Sequence, residues 1–312
     1  MPIAPPALPA LLLLGAIWGL TPAVAKGLVL GGAGPLGLAA LVAALSAGLL
    51  WAACAARGVR VPLDRAHLRH YAVAGLVGFA LANLVAYAAL RHVPAGLAAL
   101  IVPLSPILTV LIAAATGQER ATRRRLLGSA LGLAGTALAM APGAALPEAR
   151  LIPWALLLLA TPTCYAATNV LAARLAPRGT PPLALAAGTL AVAALGAGLP
   201  AAALGQAALP AWGGTAAPEG GPAPGLAPSL ALVPLQAGLT ALAYLVYFRL
   251  LGSVGGVATS QVGYLVTVAG LGWGFLLFGE RPGWLTAPAA GPIFAGLALV
   301  TLLPGRRRTT TA

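Results

Sequence analysis

The chain is divided into ten apolar blocks, separated by short breaks that are polar or rich in glycine and proline. Each block has the length of about 20 residues that an α-helix needs to cross roughly 30 Å of hydrocarbon. Of all residues, 60% are hydrophobic and only 7% charged, whereas a soluble domain carries about 25% charged residues. The sequence therefore predicts an all-α integral membrane protein with ten transmembrane helices. The predicted spans are 8–27, 36–56, 71–90, 94–115, 126–142, 152–173, 183–204, 230–249, 254–278 and 285–304.

The basic residues support this number of spans and predict their orientation. With the N-terminus in the cytoplasm, 14 of the 18 Lys and Arg residues lie on the cytoplasmic side, as is typical of membrane proteins. We therefore expect both termini in the cytoplasm and attribute the net charge of +13 to topology. Because the basic residues are spread over separate breaks rather than one face, we expect the lipid bilayer, and no nucleic acid, as a partner.

The first block ends in Ala23-Val24-Ala25, which is similar to a signal-peptidase site. A secretory signal begins with a positively charged segment, but residues 1–10 contain no Lys or Arg. We therefore interpret the first block as a membrane span.

The two halves of the chain share a pattern of breaks. Glu-Arg pairs at 119–120 and 280–281 end the fourth and ninth blocks, and Arg91 and Arg249 end the third and eighth. Because each copy has five spans, an odd number, the second copy must enter the membrane in the opposite orientation. The sequence thus predicts two inverted five-helix repeats, an architecture that permits alternating access. The predicted segments are the repeats 1–148 and 149–304, a flexible aqueous loop at 205–229 and a basic cytoplasmic tail at 305–312.

No Asp, Glu or His residue lies deep within a predicted span. Ionisable groups inside a membrane usually mark functional sites, and acid–base or metal chemistry would require them. We therefore expect a protein that is not an enzyme, with no catalytic residue, no metal site and no cofactor. An enzyme acting on lipid-linked substrates stays an alternative, because one loop carries Asp64, His67 and His70.

The spans carry neutral polar and aromatic residues instead, several of them at helical spacing. Asn83 and Tyr87 are one turn apart, as are Thr240 and Tyr244. A buried amide without a partner is costly, so these side chains should face protein or water. Each could simply join two helices, but as a set they predict a polar substrate pathway. The candidates are Trp18, Thr21, Asn83, Tyr87, Tyr165, Asn169, Thr240, Tyr244, Gln261 and Tyr264.

Prolines near the middle of the fourth span predict broken helical backbone. Pro103 and Pro106 lie on either side of Ser105, and each proline removes a backbone hydrogen bond. Such backbone is tolerated in a bilayer only where it is buried in protein or lines a cavity, so these three residues join the predicted pathway. Lys26, at the outer end of the first span, is predicted at the cavity mouth, where it could attract anionic or zwitterionic solutes. Alternatively, its ammonium reaches the lipid headgroups.

Three segments resemble EamA-type members of the drug/metabolite transporter superfamily. They are LLLLGAIWGLTPAVAKGL (11–28), ALRHVPAGLAALIVPLSPILTVLIAAATGQER (89–120) and VATSQVGYLVTVAGLGWGFLLFGER (257–281). The resemblance implies a ten-helix, inverted-repeat carrier or exporter of small metabolites in a bacterial cell inner membrane. The chain departs from many relatives in two places: its second span lacks an arginine, and Thr267 replaces a proline.

These observations together predict a transporter that works by alternating access. The lack of charge within the spans favours neutral or zwitterionic metabolites, such as amino acids or their derivatives, or drug-like solutes. Export is favoured by the resemblance alone, and an uncoupled facilitator of the same solutes is an alternative. Gly128 and Gly132 of the fifth span allow close helix contact, and the fifth and tenth spans could support a homodimer.

Overall fold

The chain forms a bundle of helices. The computed structural model describes residues 7–30, 33–102, 104–116, 122–139, 141, 146–175, 177, 179–206, 231–259, 262–280 and 283–301. The helices are α1 (Ala7–Leu30), α2 (Pro35–Ala56), α3 (Arg65–Leu90), α4 (Ala95–Ile101), α5 (Leu104–Ala115), α6 (Arg123–Ala139), α7 (Ile152–Leu158), α8 (Ala160–Leu175), α9 (Pro182–Ala203), α10 (Leu232–Thr259), α11 (Val262–Phe278) and α12 (Thr286–Thr301), with a 3₁₀ turn at Ala149–Leu151. The predicted tail and most of the predicted 205–229 loop lie outside the described residues.

Six helical stretches of the described chain are long and apolar enough to cross a membrane. They are α1, α2, α3, α9, α10 and the stretch Ala149–Leu171, which includes α7 and most of α8. Shorter apolar helices cover Ala95–Thr109, Leu126–Ala139 and Leu265–Phe278. These findings agree with the predicted multi-pass helical membrane protein, whereas the number of ten spans stays a prediction.

Two helix boundaries differ from the sequence prediction. α3 begins at Arg65 rather than 71, because the Asp64 carboxylate caps it by accepting hydrogen bonds from the amides of Ala66 (3.0 Å) and His67 (3.3 Å). The boundary between the eighth and ninth spans, predicted between Arg249 and 254, lies later in the chain, because α10 continues to Thr259 and α11 begins at Val262. Arginine is a good helix former and Arg249 is exposed, so its charge alone does not end the helix.

The middle of α3, Val73–Leu81, is π-helical. Two glycines in this segment allow very close packing against the second half of the chain. A Cβ atom added at Gly75 would lie 2.5 Å from the Thr189 carbonyl oxygen of α9, and one at Gly78 would lie 2.8 Å from Thr168 Cγ2 of α8. The irregular turn therefore lies where α3 meets both α8 and α9.

Many contacts between helices are matched by contacts between their counterparts, that is, the helices that come at the same place in the order of the other half. The most extensive contacts join α2 to α9 and α6 to α12. The contact of α1 with α11 is matched by that of α5 with α8, and the contact of α1 with α10 by that of α3 with α8. Likewise, α2 packs on α10 as α3 packs on α9. Exchanging each helix for its counterpart in the other half thus preserves these contacts.

The close helix contact predicted from Gly128 and Gly132 is present between α6 and α12. A Cβ atom added at Gly296 of α12 would lie 2.3 Å from the Gly128 carbonyl oxygen and 2.6 Å from the Gly132 amide nitrogen. The glycine face of α6 is therefore covered by α12 of the same chain.

We expect Gly296→Ala to destabilise the protein, because the new methyl group would push apart the two backbones. Overpacking of this kind costs about 1–3 kcal/mol. Gly272→Ala in α11 is a matched control, since a Cβ atom there meets nothing within 4 Å and alanine favours the helix. Thermal unfolding in detergent should show a lower Tm for Gly296→Ala only; equal Tm values for both variants would contradict the close contact.

Candidate functional site

Polar and aromatic side chains from four helices meet between the two halves. Asn169 of α8 donates a hydrogen bond from Nδ2 to Thr109 Oγ1 of α5 (3.4 Å) and accepts one at Oδ1 from the Tyr247 hydroxyl of α10 (3.3 Å). The Tyr247 ring centroid lies 5.5 Å from that of Trp18 in α1. We call these four residues the central polar cluster. Asn169 is exposed and the other three are half-buried, so the cluster adjoins accessible space.

A group of tyrosines continues from this cluster. Tyr244 of α10 is close enough to Tyr247, Tyr165 and Tyr87 for electrostatic interaction. Tyr87 of α3 accepts a hydrogen bond from Gln236 Nε2 of α10 (3.4 Å), and both residues are buried. In the described part of the chain, the buried Gln236 Oε1 has no hydrogen-bond partner. The structure therefore brings together five of the predicted residues, which are Trp18, Tyr87, Tyr165, Asn169 and Tyr244.

Two other candidates stabilise irregular backbone instead of pointing to a neighbouring helix. Pro22 has no N–H to donate to the Trp18 carbonyl, and the Thr21 hydroxyl donates to that oxygen at 3.2 Å. Asn83 Nδ2 donates to the Phe79 carbonyl at 2.9 Å, near the end of the π-helical segment of α3. Both side chains thus have a local hydrogen-bonding role in this conformation.

The break predicted in the fourth span is present between α4 and α5. Proline at position 103 leaves the Ala99 carbonyl without its usual helical donor, and the hydroxyl of Thr267 in α11 donates to it at 3.0 Å. Proline at position 106 does the same to the Val102 carbonyl, which accepts the Ser105 amide at 2.9 Å. Thr267 is fully buried, so it connects α11 to the broken backbone of the other half.

The remaining candidates occupy different environments. Ser105 and Thr240 are buried and Pro106 is half-buried. Tyr264 lies in α11, but its side chain is outside what the structure describes, as are Pro103 and Gln261 altogether.

Lys26 is engaged in an ion pair. Its Nζ lies 2.5 Å from Glu280 Oε1, and the two side chains are only 14% and 16% exposed. The ammonium also lies 5.1 Å from the centroid of the Phe278 ring. The Glu280 carboxylate accepts hydrogen bonds from the amides of Ala95 (2.9 Å) and Gly96 (3.0 Å) at the start of α4. We call this group the Lys26–Glu280 junction; it connects α1, α4 and the end of α11.

The loop residues of the enzyme alternative also form contacts. The His67 ring bonds to Asp64 through Nδ1 and to Thr180 Oγ1 through Nε2 (2.8 Å). Partial desolvation raises the pKa of Asp64, but hydrogen bonds from His67 and Ala66 outweigh it and hold this pKa below its usual value. These bonds connect the start of α3 to the loop before α9. His70 is buried, with its ring 6.3 Å from that of Phe248.

His92, in the loop between α3 and α4, stacks on Trp154 with 3.8 Å between ring centroids. Burial, and then the positive charge of Arg91, lower the pKa of His92. The unfolded chain therefore binds this proton more readily than the folded protein does. Because the folded protein favours the neutral ring, His92 should contribute its full stabilisation above its unfolded pKa of about 6.5, and this contribution should decrease as the pH falls below that value. Comparing Tm at pH 7.5 and 5.5 tests this: the drop should be smaller in His92→Phe than in the unchanged protein.

Sequence reasoning missed several residues of the site. Gln236 is an amide inside an apolar span, the same signal that selected Asn83 and Asn169. Tyr247 is different, because its helical spacing from Thr240 and Tyr244 on α10 does indicate it in the sequence. The roles of Thr109 and Glu280 depend on partners in distant parts of the sequence, and no local pattern indicates them.

Two apolar grooves lie away from the cluster. One of about 370 Å³ is lined by Leu104, Thr136 and Leu156 among others, and one of about 360 Å³ by Leu45, Gly48 and Pro234 among others. In the part of the chain that is described, no three His, Cys, Asp or Glu side chains are grouped as metal ligands would be.

Comparisons with known proteins complete this description. A solved structure described only as the crystal structure of a protein aligns with a TM-score of 0.60 at 23% identity, covering 96% of this chain and 98% of that one. At this identity the likeness concerns the fold alone. No curated protein sequence gives a significant match. The model of the EamA-like transporter family matches residues 6–141 and again residues 152–302. Because these two matches cover nearly all of the sequence in two successive copies, the chain belongs to the EamA-like transporter family.

Proposed function

We propose that the protein exports small neutral or zwitterionic metabolites, or drug-like solutes, across a bacterial inner membrane by alternating access. The observation that carries this proposal is the central polar cluster, in which Asn169 is exposed although it contacts helices of both halves. The Asn169 amide has a second N–H and a second acceptor lone pair beyond these two hydrogen bonds, and water or a polar solute in the accessible space can bind them. We therefore assign the solute site to this cluster.

The chemistry of the cluster favours an uncharged or zwitterionic solute. Asn169, Thr109 and Tyr247 offer neutral donors and acceptors, and Trp18 offers an aromatic face. Small-molecule sites commonly combine such apolar and aromatic walls with a few polar groups. The unpartnered Gln236 Oε1 is an acceptor that a donor group of the solute, such as the ammonium of an amino acid, would satisfy.

The reciprocal contacts between the two halves support the proposal of alternating access. They support a two-fold relation between the repeats, and two inverted copies can exchange conformations to open the opposite side. The Lys26–Glu280 junction is an ordered contact at one end of α1, α4 and α11. We propose that it closes the outer end of the pathway and separates when the protein opens outward.

The test is transport by purified protein in proteoliposomes. Liposomes with and without the protein are loaded with unlabelled L-phenylalanine, L-leucine or L-threonine, and entry of the same labelled amino acid by exchange is measured. Protein-dependent exchange of at least one of them supports the proposal. If none of the three exchanges while a charged amino acid does, the assignment of a neutral or zwitterionic solute is wrong.

Adding a pH gradient to the same assay distinguishes a coupled exporter from the uncoupled facilitator. When the pH gradient is imposed, a coupled exporter accumulates solute against the concentration gradient of that solute. A facilitator only equalises the two concentrations.

A further inference from the structure

The N-terminal end of α3 extends beyond the hydrocarbon layer. The helix Arg65–Leu90 contains 26 residues, which corresponds to about 39 Å at 1.5 Å per residue. The hydrocarbon core of a bilayer is about 30 Å thick, so the helix is longer than a perpendicular crossing of this layer requires. The polar end is the first one, because Arg65–Ala72 contains two arginines and two histidines. These first turns therefore lie at the level of the lipid headgroups.

This end of α3 presents arginine side chains to the outside. Arg65 and Arg69 are both exposed and are one helical turn apart, so they share a face. Arg57 and Arg60, in the segment that leads into α3, are exposed as well. We call these four residues the α3 basic face.

Exposed leucines lie among these arginines. Leu63 is 61% exposed and Leu68 is 44% exposed. Leu68 is one turn from Arg65, so it belongs to the same face of the helix. A surface that combines guanidinium groups with exposed apolar side chains matches the boundary between charged headgroups and acyl chains.

The acidic residue of this region does not neutralise the basic face. The Asp64 carboxylate is bonded to the His67 ring and to the amides of Ala66 and His67. The ion pairs found in the described chain involve neither Arg65 nor Arg69. The guanidinium groups of both residues are thus available to an anion from outside the protein.

We propose that the α3 basic face binds anionic phospholipids, with Arg65 and Arg69 holding the headgroup phosphate and the leucines contacting the upper acyl chain. Guanidinium groups bind phosphate through two parallel hydrogen bonds, and basic residues next to a membrane are attracted to anionic lipid. His67, on the same turns, is bonded to Thr180, so the bound lipid would adjoin a contact between the two halves.

The experiment is native mass spectrometry of the full-length protein in detergent. Phosphatidylglycerol or phosphatidylcholine with identical acyl chains is added, and the bound fraction is measured for each. We expect the unchanged protein to prefer phosphatidylglycerol, and R65Q/R69Q to weaken its binding about 30-fold, given the contribution of each basic residue near anionic lipid. R65K/R69K should retain most of the preference, because the charge is kept. Arg150→Gln, which removes an arginine outside the basic face, should leave binding unchanged.

Three outcomes would overturn the proposal. They are equal binding of both lipids by the unchanged protein, unchanged binding by R65Q/R69Q, and full displacement of the lipid by millimolar inorganic phosphate, which would indicate a site for a free anion. Thermal unfolding of each variant accompanies the measurement, so that a loss of binding is attributed to the side chains only where the Tm is retained. If R65Q/R69Q does not fold, phosphatidylglycerol binding by R65K/R69K is compared with that by the single variant Arg69→Gln. Weaker binding by Arg69→Gln supports the proposal, and equal binding overturns it.

Discussion

Replacing Glu280 by alanine is expected to lower the free energy of unfolding by about 3 kcal/mol, the lower end of the range for removing one partner of a buried ion pair. The Lys26 side chain is only 14% exposed, and its ammonium would be left without its carboxylate. The amides of Ala95 and Gly96 would also lose their acceptor. Thermal or denaturant unfolding of the purified protein in detergent measures this loss.

Further variants separate the ion pair from the cap of α4. Glu280→Gln keeps an oxygen that can accept the two amide hydrogen bonds, so it should destabilise less than alanine. Adding Lys26→Met to Glu280→Gln should recover part of the stability, because no unpaired charge then stays in the junction. If the double variant lost as much free energy of unfolding as Lys26→Met and Glu280→Gln lose together, the two charges would not interact.

The Glu148–Arg150 ion pair is the matched control. Its side chains are 54% and 70% exposed, and an exposed pair contributes less than about 1 kcal/mol. Glu148→Gln should therefore change the Tm only slightly. An effect as large as that of Glu280→Gln would mean that the burial of the junction has no energetic importance.

The Lys26–Glu280 junction also shows what the sequence could and could not predict. Hydrophobic blocks and breaks predicted helices close to those observed, because the helices of a membrane protein must be long and apolar. Glu280 lies just before the tenth block, and a carboxylate in this position is typical of a cap for the helix that follows. In the structure it caps α4 instead, because the fold brings the start of α4 next to the end of α11. Local sequence predicts that a carboxylate near a helix end will act as a cap, but not which helix it caps.

The prolines of the fourth span give the same lesson. Their positions predicted free carbonyls and a break in the helix, and both follow from the missing N–H of proline. The partner of the Ala99 carbonyl is the Thr267 hydroxyl on another helix of the other half, and no spacing in the sequence indicates this pair. The resemblance singled out Thr267 only as a departure from proline. Its hydrogen bond now supplies a physical reason for a hydroxyl at this position.

Asn169→Leu is expected to reduce solute exchange about tenfold while leaving the fold intact. Losing a hydrogen bond to a solute group that has no other partner costs about 1–2 kcal/mol. The stability should change little, because Asn169 is exposed and its two hydrogen bonds are long, at 3.3 and 3.4 Å. Exchange of labelled amino acid in proteoliposomes, normalised to the amount of folded protein, measures the first effect, and the Tm measures the second.

The control for this variant is Thr163→Val on the same helix. Thr163 is exposed, and its hydroxyl donates to the Leu159 carbonyl of its own helical segment at 2.9 Å rather than to another helix. Exchange should therefore be unchanged. Tyr247→Phe, which removes only the hydroxyl that donates to Asn169, should reduce exchange by a smaller factor than Asn169→Leu, because the Asn169 amide then still faces the solute.

The combination of the two measurements decides between the two roles that a polar residue can have in a membrane helix. If Asn169 only joins helices, its loss removes hydrogen bonds that stabilise the fold, so the Tm of Asn169→Leu should fall and exchange per folded molecule should stay the same. If it binds solute, exchange should fall at an unchanged Tm, and the apparent KM should rise for solutes that carry a hydrogen-bonding group. Because leucine has the same number of side-chain heavy atoms as asparagine, branched at the same position, and suits an apolar helix, this substitution removes the polar group without leaving a cavity.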